Sequence, residues 1–191
     1  MEKIDKEKII IKKINSINEL KEAFENGFIS LFDECFNAEP YFLKYSNEEL
    51  WNIYENHFKT GFVIFAYYDN NIIGFAGSRP LIEDEYVSDD IKEVFDDINE
   101  YWYHSDIGVG KNYRRQGIAK ILLRHTISNT PKNKKIIMRT NEANQPSIDL
   151  HKSMGFIELE GVCQVIKRIN TMGKEIIDKR IYLKYEEDKD V

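Results

Sequence analysis

The segment from Tyr101 to Ser128 constrains the fold of this chain most, because a strand, a basic loop and a helix follow one another there. The run that ends at Val109 is rich in aromatic and β-branched residues, which predicts a buried strand. The loop after it carries Arg114 and Arg115 and runs directly into an amphipathic helix that begins near Gln116. The first N–H groups of a helix have no partners within the helix and lie at its positive end, so the loop predicts a site for an anion.

Two small residues in this loop point to a diphosphate. Gly117 and Ala119 present almost no side chain, so phosphate oxygens can approach the backbone while the neighbouring arginines supply positive charge. The loop lacks the Gly-Lys-Ser/Thr sequence of a nucleoside triphosphate loop and the three-glycine pattern of a dinucleotide loop, which disfavours both kinds of nucleotide. Taken alone, the loop is equally compatible with a strand-to-helix connection whose glycine only permits close packing and whose arginines are solvated.

The rest of the chain predicts an α/β sheet with antiparallel pairs at both ends and a parallel pair in its middle. Ser46 has the sequence context of a helix N-cap, and Asp69-Asn70-Asn71 separates two β-rich runs, which indicates a hairpin. The predicted strands are Lys8 to Ile14, Gly61 to Tyr68, Ile72 to Ser78, Tyr101 to Val109, Lys135 to Met138, Phe156 to Ile169 and Glu175 to Tyr185, with Asn170 to Gly173 joining the last two. The predicted helices are Ser16 to Phe36 with a break near Gly27, one after Ser46, one after Ser88 that carries Ile91, Val94, Phe95 and Ile98, one from Gln116 to Ser128, and a short one from Ser147 to Ser153.

Composition indicates a folded protein, with 42% hydrophobic and 31% charged residues. We expect one domain over residues 1–186 and a charged C-terminal tail over 187–191. Neither a signal sequence nor a transmembrane run is evident, so we expect a cytoplasmic protein that does not bind a membrane. The net charge of −6 argues against a nucleic-acid partner. Cys35 and Cys163 lack metal-ligand spacing, so we expect two buried free thiols and no metal.

A second motif downstream of the loop narrows the kinds of protein to which this chain can belong. Ile107-Gly108-Val109 is followed by an Arg-x-x-Gly-x-Ala arrangement, and downstream lies the run from Asn144 to Phe156, NQPSIDLHKSMGF. Together these segments resemble the two signatures of the GNAT superfamily of acyl-CoA-dependent N-acetyltransferases, in the family's order and separated by one helix and one strand. The resemblance is strongest from Tyr101 to Phe156. It implies a three-layer α+β fold with a mostly antiparallel mixed sheet, a central parallel pair that splays apart, and helices on both faces.

The resemblance also assigns cofactor-binding residues. The backbone of Ile107, Gly108 and Val109 would pair with the pantetheine arm and the acyl carbonyl of acetyl-CoA. Asn144 and His151 would lie along the same arm. The pyrophosphate would be held by the loop, with Arg114 adding charge and the amides of Arg115, Gln116, Gly117, Ile118, Ala119 and Lys120 providing donors. The implied activity is direct transfer of the acetyl group to a primary amine of a small molecule or peptide, and the alternative is a catalytically silent CoA-binding module that senses the cofactor or pairs with a partner.

Three side chains are candidates for proton transfer. The family usually places a tyrosine where this chain has His151, whose imidazolium could protonate the departing thiolate, although the ring could equally pack against the cofactor. On the strand before the loop, His104 and Asp106 are candidates for the base, and a water chain could replace either. Strand alternation puts His104 and Asp106 on one face and Tyr103 on the other, unless a bulge intervenes.

Residues 83–100 bear on the acceptor, because they contain nine acidic residues and only one lysine. If this segment borders the acceptor groove, it favours a cationic acceptor such as a polyamine, an aminoglycoside or a lysine-rich peptide. Otherwise its acids only solvate the outer face of a surface helix. Glu39-Pro40-Tyr41 and Trp51 are candidates for an acceptor wall or for the core. The long final strands leave a sheet edge that a second copy could cover, so a homodimer is possible.

Overall fold

The computed structural model describes residues 4–169 and 173–187 and contains one seven-stranded sheet with the strand order β1-β2-β3-β4-β5-β7-β6. The strands are β1 Ile10–Lys13, β2 Phe62–Tyr68, β3 Asn71–Pro80, β4 Tyr101–Val109, β5 Lys135–Asn141, β6 Phe156–Ile169 and β7 Glu175–Tyr185. The α-helices are α1 Ile17–Ala23, α2 Ile29–Phe36, α3 Asn47–Thr60, α4 Asp89–Lys92, α5 Ile118–Asn129 and α6 Gln145–Lys152. Predicted and observed elements follow the same order.

Individual residues explain where a helix begins, where one is interrupted and where the chain forms a hairpin turn, as the sequence predicts. The first helical stretch is interrupted at Gly27, whose φ of 101° is left-handed and separates α1 from α2. Ser46 and Glu49 form a reciprocal capping box at the start of α3. Asp69 and Asn70 both adopt positive φ in the two-residue turn between β2 and β3, as a tight hairpin requires. These three predictions are confirmed.

The centre of the sheet contains a parallel pair that separates. β4 pairs with β5 only from Tyr101 to His104, opposite Lys135 to Met138, whereas all other neighbouring strands are antiparallel. Past His104 the two strands diverge, although both continue. The predicted mixed sheet with a splayed parallel pair is confirmed.

Helices cover both faces of the sheet, which makes the fold three-layered. The first face is covered by α1, α2 and α3, whose core is aromatic and includes Phe28, Phe32, Tyr54, Phe65 and Phe75. The second face is covered by α5 and α6, and its core includes Ile118, Leu122 and Leu123 of α5 together with Met138 of β5 and Phe156 of β6. Burial of each of these large apolar side chains stabilises the fold by roughly 1.5–3 kcal/mol.

Strand β4 contains a bulge at Ser105. Its register against β3 pairs Gly77 with Asp106 but Ser78 with His104, so one residue of β4 has no partner. The extra residue reverses the alternation of side chains along the strand. Tyr103 packs with Tyr182 on the first face.

Some sequence expectations were wrong in detail. The predicted helix after Ser88 is only the four-residue α4, and Val94 is 53% exposed, because the following turns hold Ile91 and Phe95 against Leu81 and Tyr103 without continuing the helix. Cys163 is exposed on β6, and Cys35 is half-buried. The joint at 170–172 and the predicted tail beyond residue 187 lie outside the described residues. In the described ranges no helix is both long and apolar enough to cross a membrane.

Candidate active site

The gap between β4 and β5 opens into a cavity of about 910 Å³. One end is lined by the loop before α5, and the other by Tyr41, Arg139 and Arg180. The end of β4 and helix α6 with its N-cap also line the cavity, and they contribute Ser105, Asp106, Ile107, Gly108, Val109, Asn144, Ser147 and His151. The splayed strands therefore join the predicted anion loop to a second, chemically different end.

The loop exposes its backbone at the point where the sequence predicts a diphosphate. Gly117 precedes the first residue of α5 with φ 87°, and Arg115 is left-handed with φ 59°. A Cβ atom built on Gly117 meets nothing closer than the ammonium of Lys6, at 3.5 Å. The backbone at Gly117 is accordingly open, and it lies at the positive end of a twelve-residue helix. Arg114 donates from Nε to the carbonyl of Val109 at 2.9 Å, which fastens the loop to the end of β4.

The N-terminal segment reaches this loop, which the sequence analysis did not predict. The amide of Ile4 donates to Oε1 of Gln116 at 2.9 Å. A short 3₁₀ helix, Lys6–Lys8, follows and places the Lys6 ammonium beside Gly117. Because more than a hundred residues separate the two segments, only the fold reveals that this cation belongs to the loop.

Helix α6 places Asn144 and His151 on the cavity. Asn144 is its N-cap, with Oδ1 accepting from the Ser147 amide and Nδ2 donating to the Tyr41 hydroxyl at 2.8 Å. His151 is buried, and its Nδ1 donates to the Ser147 carbonyl at 2.7 Å, so Nε2 is the unprotonated nitrogen of the neutral ring. Burial lowers the pKa of His151 to about 4, although the bond to Ser147 works in the opposite direction.

The side chain of His104 lies on the second face of the sheet, which α5 and α6 cover. Thr130 donates its hydroxyl to the Thr126 carbonyl, so the 3.1 Å contact between His104 Nε2 and Thr130 Oγ1 makes Nε2 the protonated nitrogen. Its Nδ1 is buried without a hydrogen-bond partner among residues 4–169 and 173–187. Burial, reinforced by the charge of a protonated His151, lowers the pKa of His104 to about 3. Both histidines are therefore uncharged near neutral pH.

Asp106 lies on the opposite face, beside α3. The Tyr54 hydroxyl donates to its Oδ2 at 3.4 Å, and Nε2 of His57 is 3.8 Å from the same oxygen. Ser105 bonds to His57 Nε2, so the bulge residue and Asp106 both meet α3. Burial raises the pKa of Asp106 to about 6, against the opposing effect of Arg79. His104 and Asp106 do not share a face, because the bulge anticipated as the exception is present.

The wall opposite the anion loop combines aromatic and charged side chains. Glu39, Pro40 and Tyr41 line it, as one of the two sequence interpretations expected, whereas Trp51 packs against Phe24 in the core. None of the described residues between 83 and 100 lines the cavity. In that segment Asp84 is buried against Arg79, and the other eight acids are exposed to solvent. Within the described ranges, no group of three or more His, Cys, Asp or Glu could hold a metal ion.

Several solved structures share this fold. Ribosomal-protein-alanine N-acetyltransferase from Brucella melitensis is 18% identical, with a TM-score of 0.66 over 92% of this chain and 98% of that one. An N-acetyltransferase from Staphylococcus aureus Mu50 is 15% identical, with a TM-score of 0.66 over 93% and 98%. A GNAT family acetyltransferase from Elizabethkingia anophelis, solved with acetyl-CoA bound, is 18% identical, with a TM-score of 0.60 over 95% and 100%. At these identities the similarity shows a common fold.

Comparison with curated protein sequences finds no match. The model of the Acetyltransferase (GNAT) family, however, matches residues 21–156, which include the loop, both strands of the splayed pair and α6. The match spans well over half of the chain and agrees with the predicted motifs. The chain therefore belongs to the GNAT acetyltransferase family.

Proposed function

We propose that this protein transfers the acetyl group of acetyl-CoA directly to a primary amine of a small molecule or peptide. One observation carries the proposal: a single cavity connects the open backbone at Gly117 with the carboxylate of Asp106 through the gap between β4 and β5. A site of this form can hold a diphosphate at one end and an amine at the other. The acetyl-CoA found in the Elizabethkingia anophelis structure supports the choice of donor.

The residues of the loop fit the donor. Acetyl-CoA, when bound, supplies a thioester whose acetyl group is the one transferred. Backbone amides from Arg115 to Lys120 and the charges of Arg114 and Arg115 would hold the diphosphate. The edge of β4 past His104, from Ile107 to Val109, has no partner strand in β5 and can bond the pantetheine arm and polarise the acyl carbonyl.

Asp106 is the proposed base. An aliphatic amine is mostly protonated at neutral pH and must lose a proton before it can act as a nucleophile. Asp106 is ionised above its pKa of about 6, lines the cavity, and its side chain is 22% exposed, so it can accept that proton from an acceptor in the cavity. His104 is the weaker candidate, because Nε2 is committed to Thr130 and the ring lies on the cofactor side.

His151 is proposed as a packing contact for the cofactor rather than as the general acid. With a pKa of about 4 it carries no proton to give at neutral pH, and its one N–H already donates to the Ser147 carbonyl. A thiolate is a moderately basic leaving group, with a thiol pKa of about 8.5, so water can protonate it after it departs. The reaction therefore does not require an acidic side chain at this position.

Thiol release from acetyl-CoA, followed with a disulfide reagent over a panel of primary amines, tests the activity. We expect turnover with at least one amine and its loss in Asp106→Asn, while acetyl-CoA binding measured by calorimetry is unchanged in the variant. The catalytically silent module is the alternative, because His151 occupies the position where the family usually has a tyrosine. Tight acetyl-CoA binding without thiol release for any amine would select that alternative, and absence of binding would refute both.

A further inference from the structure

We infer that the acceptor carries a carboxylate beside its amine and that Arg139 and Arg180 bind this carboxylate. The inference rests on the proposed function and specifies its substrate class. Both arginines and Asp106 line the cavity, and the arginines contact Tyr103 and Tyr41 rather than residues of the loop before α5. The acceptor end thus offers an acidic group for an ammonium and two guanidinium groups for an anion.

Arg139 is a half-buried cation without an acidic partner within ion-pair distance. Its Nη1 donates to the Tyr86 carbonyl at 2.7 Å and to Oε1 of Gln164 at 2.5 Å, and its guanidinium lies 5.9 Å from the centre of the Tyr103 ring. No carboxylate within the described part of the chain forms an ion pair with it. A cation taken out of water is usually paired, so an unpaired arginine on a ligand cavity indicates that the ligand supplies the negative charge.

Arg180 is a second cation that lines the cavity. Its Nε and Nη2 bind both oxygens of Asp178, at 2.6 and 2.5 Å, but Arg168 lies 2.9 Å from the same carboxylate. The single buried carboxylate of Asp178 therefore interacts with two guanidinium groups and leaves one positive charge in excess. Of the two arginines, only Arg180 lines the cavity. Its Nη1 has no hydrogen-bond partner in the described ranges, and its guanidinium is held 4.6 Å from the centre of the Tyr41 ring.

The other charged side chains near the two arginines fit an acceptor that carries both a positive and a negative charge. Arg79 is neutralised by Asp84, with both side chains almost fully buried. Asp106 and the exposed Glu39 are therefore available to bind the ammonium group of the acceptor. Arg139 and Arg180 are available to bind its anionic group. The exposed acids of residues 83–100 do not line the cavity, so their charge gives little local preference for a polycation. A polyamine would place a second ammonium near Arg139.

The test compares matched acceptors. Thiol release from acetyl-CoA is measured for the proteinogenic amino acids other than proline, which is a secondary amine, and cysteine, whose own thiol would react with the reagent. The primary amide of each is measured beside it, because the amide keeps the amine but removes the negative charge. We expect the best amino acid to exceed its amide in kcat/KM by about 10-fold or more, because a charged hydrogen bond in a shielded site contributes that much. Equal or faster turnover of the amide, or a preference for polyamines, would overturn the inference.

Substitutions of the two arginines test whether they cause the preference for the amino acid over its amide. Arg139→Gln should reduce the ratio of acid to amide to within about 3-fold, Arg180→Gln should reduce it partly, and Arg139→Lys should retain part of it because it keeps the charge. Arg168→Gln is the matched control, since it removes a guanidinium from the same Asp178 outside the cavity, and it should keep the wild-type ratio. Unchanged acetyl-CoA affinity establishes that each variant is folded. An undiminished ratio in both Arg139→Gln and Arg180→Gln would refute the assignment.

A binding measurement separates this inference from the proposed activity. N-acetyl amino acids and their N-acetyl amides are titrated by calorimetry into the full-length protein saturated with CoA. If no amine is acetylated but the acids bind about 10-fold tighter than the amides, and Arg139→Gln abolishes that difference, the carboxylate site is established and the proposed activity fails. If the acids bind no tighter than the amides, the carboxylate site is refuted whatever the turnover.

Discussion

Oδ2 of Asp106 lies 3.8 Å from Nε2 of His57, yet the two groups do not form an ion pair at neutral pH. His57 is buried and bonds from Nδ1 to the Ile53 carbonyl at 2.7 Å, and its burial lowers the pKa of the ring to about 4. Asp106 is therefore next to an uncharged ring. Burial without a direct cationic partner explains why the pKa of Asp106 is raised to about 6.

Asp106→Asn should reduce kcat/KM for an amine acceptor by about 10²–10⁴-fold, the usual contribution of a positioned base. In the wild type, log kcat/KM should rise with pH through about 6 as the carboxylate forms, and this step should disappear in the variant. Initial rates between pH 5 and 8 give both values. Tyr54→Phe is the control, because it removes only a weak 3.4 Å bond to the same carboxylate and should change the rate little. A variant as active as the wild type would show that another group or water removes the proton.

Gly117→Trp should weaken acetyl-CoA binding by about 100-fold or more, because the side chain would fill the open backbone where a diphosphate is expected. Calorimetric titration measures the effect. Gly161→Trp tests the cost of a left-handed backbone alone, since Gly161 has φ 78° and open space around its missing Cβ atom. That control should bind acetyl-CoA normally. Equal affinities in the two variants would place the cofactor elsewhere.

Lys6→Gln should weaken acetyl-CoA binding by about 3- to 10-fold, because the ammonium lies beside Gly117 at the edge of the loop. The loss should shrink as salt is raised from about 0.05 to 0.5 M, since an exposed charge is screened. Lys8→Gln serves as the control, being an exposed lysine of the same 3₁₀ helix. Equal effects of the two substitutions would mean that only the general charge of the N-terminal segment matters.

His151→Phe should lower kcat by less than about 5-fold at pH 7.5, because an unprotonated ring has no proton to contribute. Phenylalanine keeps the edge contact with Phe156, whose ring centre is 5.1 Å away, and loses only the bond to the Ser147 carbonyl. Steady-state kinetics with saturating acetyl-CoA measure the change. A fall of about 100-fold or more would instead support the imidazolium as general acid.

Stability should decrease on acidification below about pH 6.5. In the folded chain burial lowers the pKa of His57, His104 and His151 to about 4, 3 and 4, below the ordinary histidine value of 6.5, so the unfolded chain binds their protons first. Asp106 opposes this trend, because its raised pKa favours the folded state below about pH 6. Near pH 5 the four groups together should take up about two protons on unfolding, which corresponds to roughly 3 kcal/mol per pH unit.

Urea unfolding at pH 7, 6 and 5 measures this slope. His104→Leu should flatten it by about one proton, because the substitution removes one buried base without replacing its charge. Equal free energies of unfolding at pH 7 and pH 5 would contradict the assignment of three neutral buried histidines.

The loop that lines one part of the cavity was predictable from sequence because its elements are contiguous. Gly117 sits between a strand and a helix, and the helix cap at Asn144 is likewise local. The acceptor end was not predictable, since it is assembled from distant segments. Tyr41 meets Asn144 across 103 positions, and Arg180 reaches the cavity from the last strand.

At two points the sequence left alternatives open, and the fold decides between them. The acids of residues 83–100 could border a groove or solvate an outer face, and in the fold all of them except the buried Asp84 are exposed to solvent while the cavity wall carries Arg139. Alternation would place His104 and Asp106 together unless a bulge intervened, and the bulge at Ser105 separates them; a bulge depends on the register with the neighbouring strand, which the sequence does not encode locally.

The bulge gives β4 an unusual response to mutation. Substitutions along the strand change one contact at a time, whereas deletion of Ser105 would turn Asp106 toward α5 and bring a carboxylate to the side proposed for the anionic cofactor. In a gene, that change is the loss of a single codon. Length variants of this strand are therefore expected to be far less tolerated than residue variants, even where the deleted residue performs no chemistry.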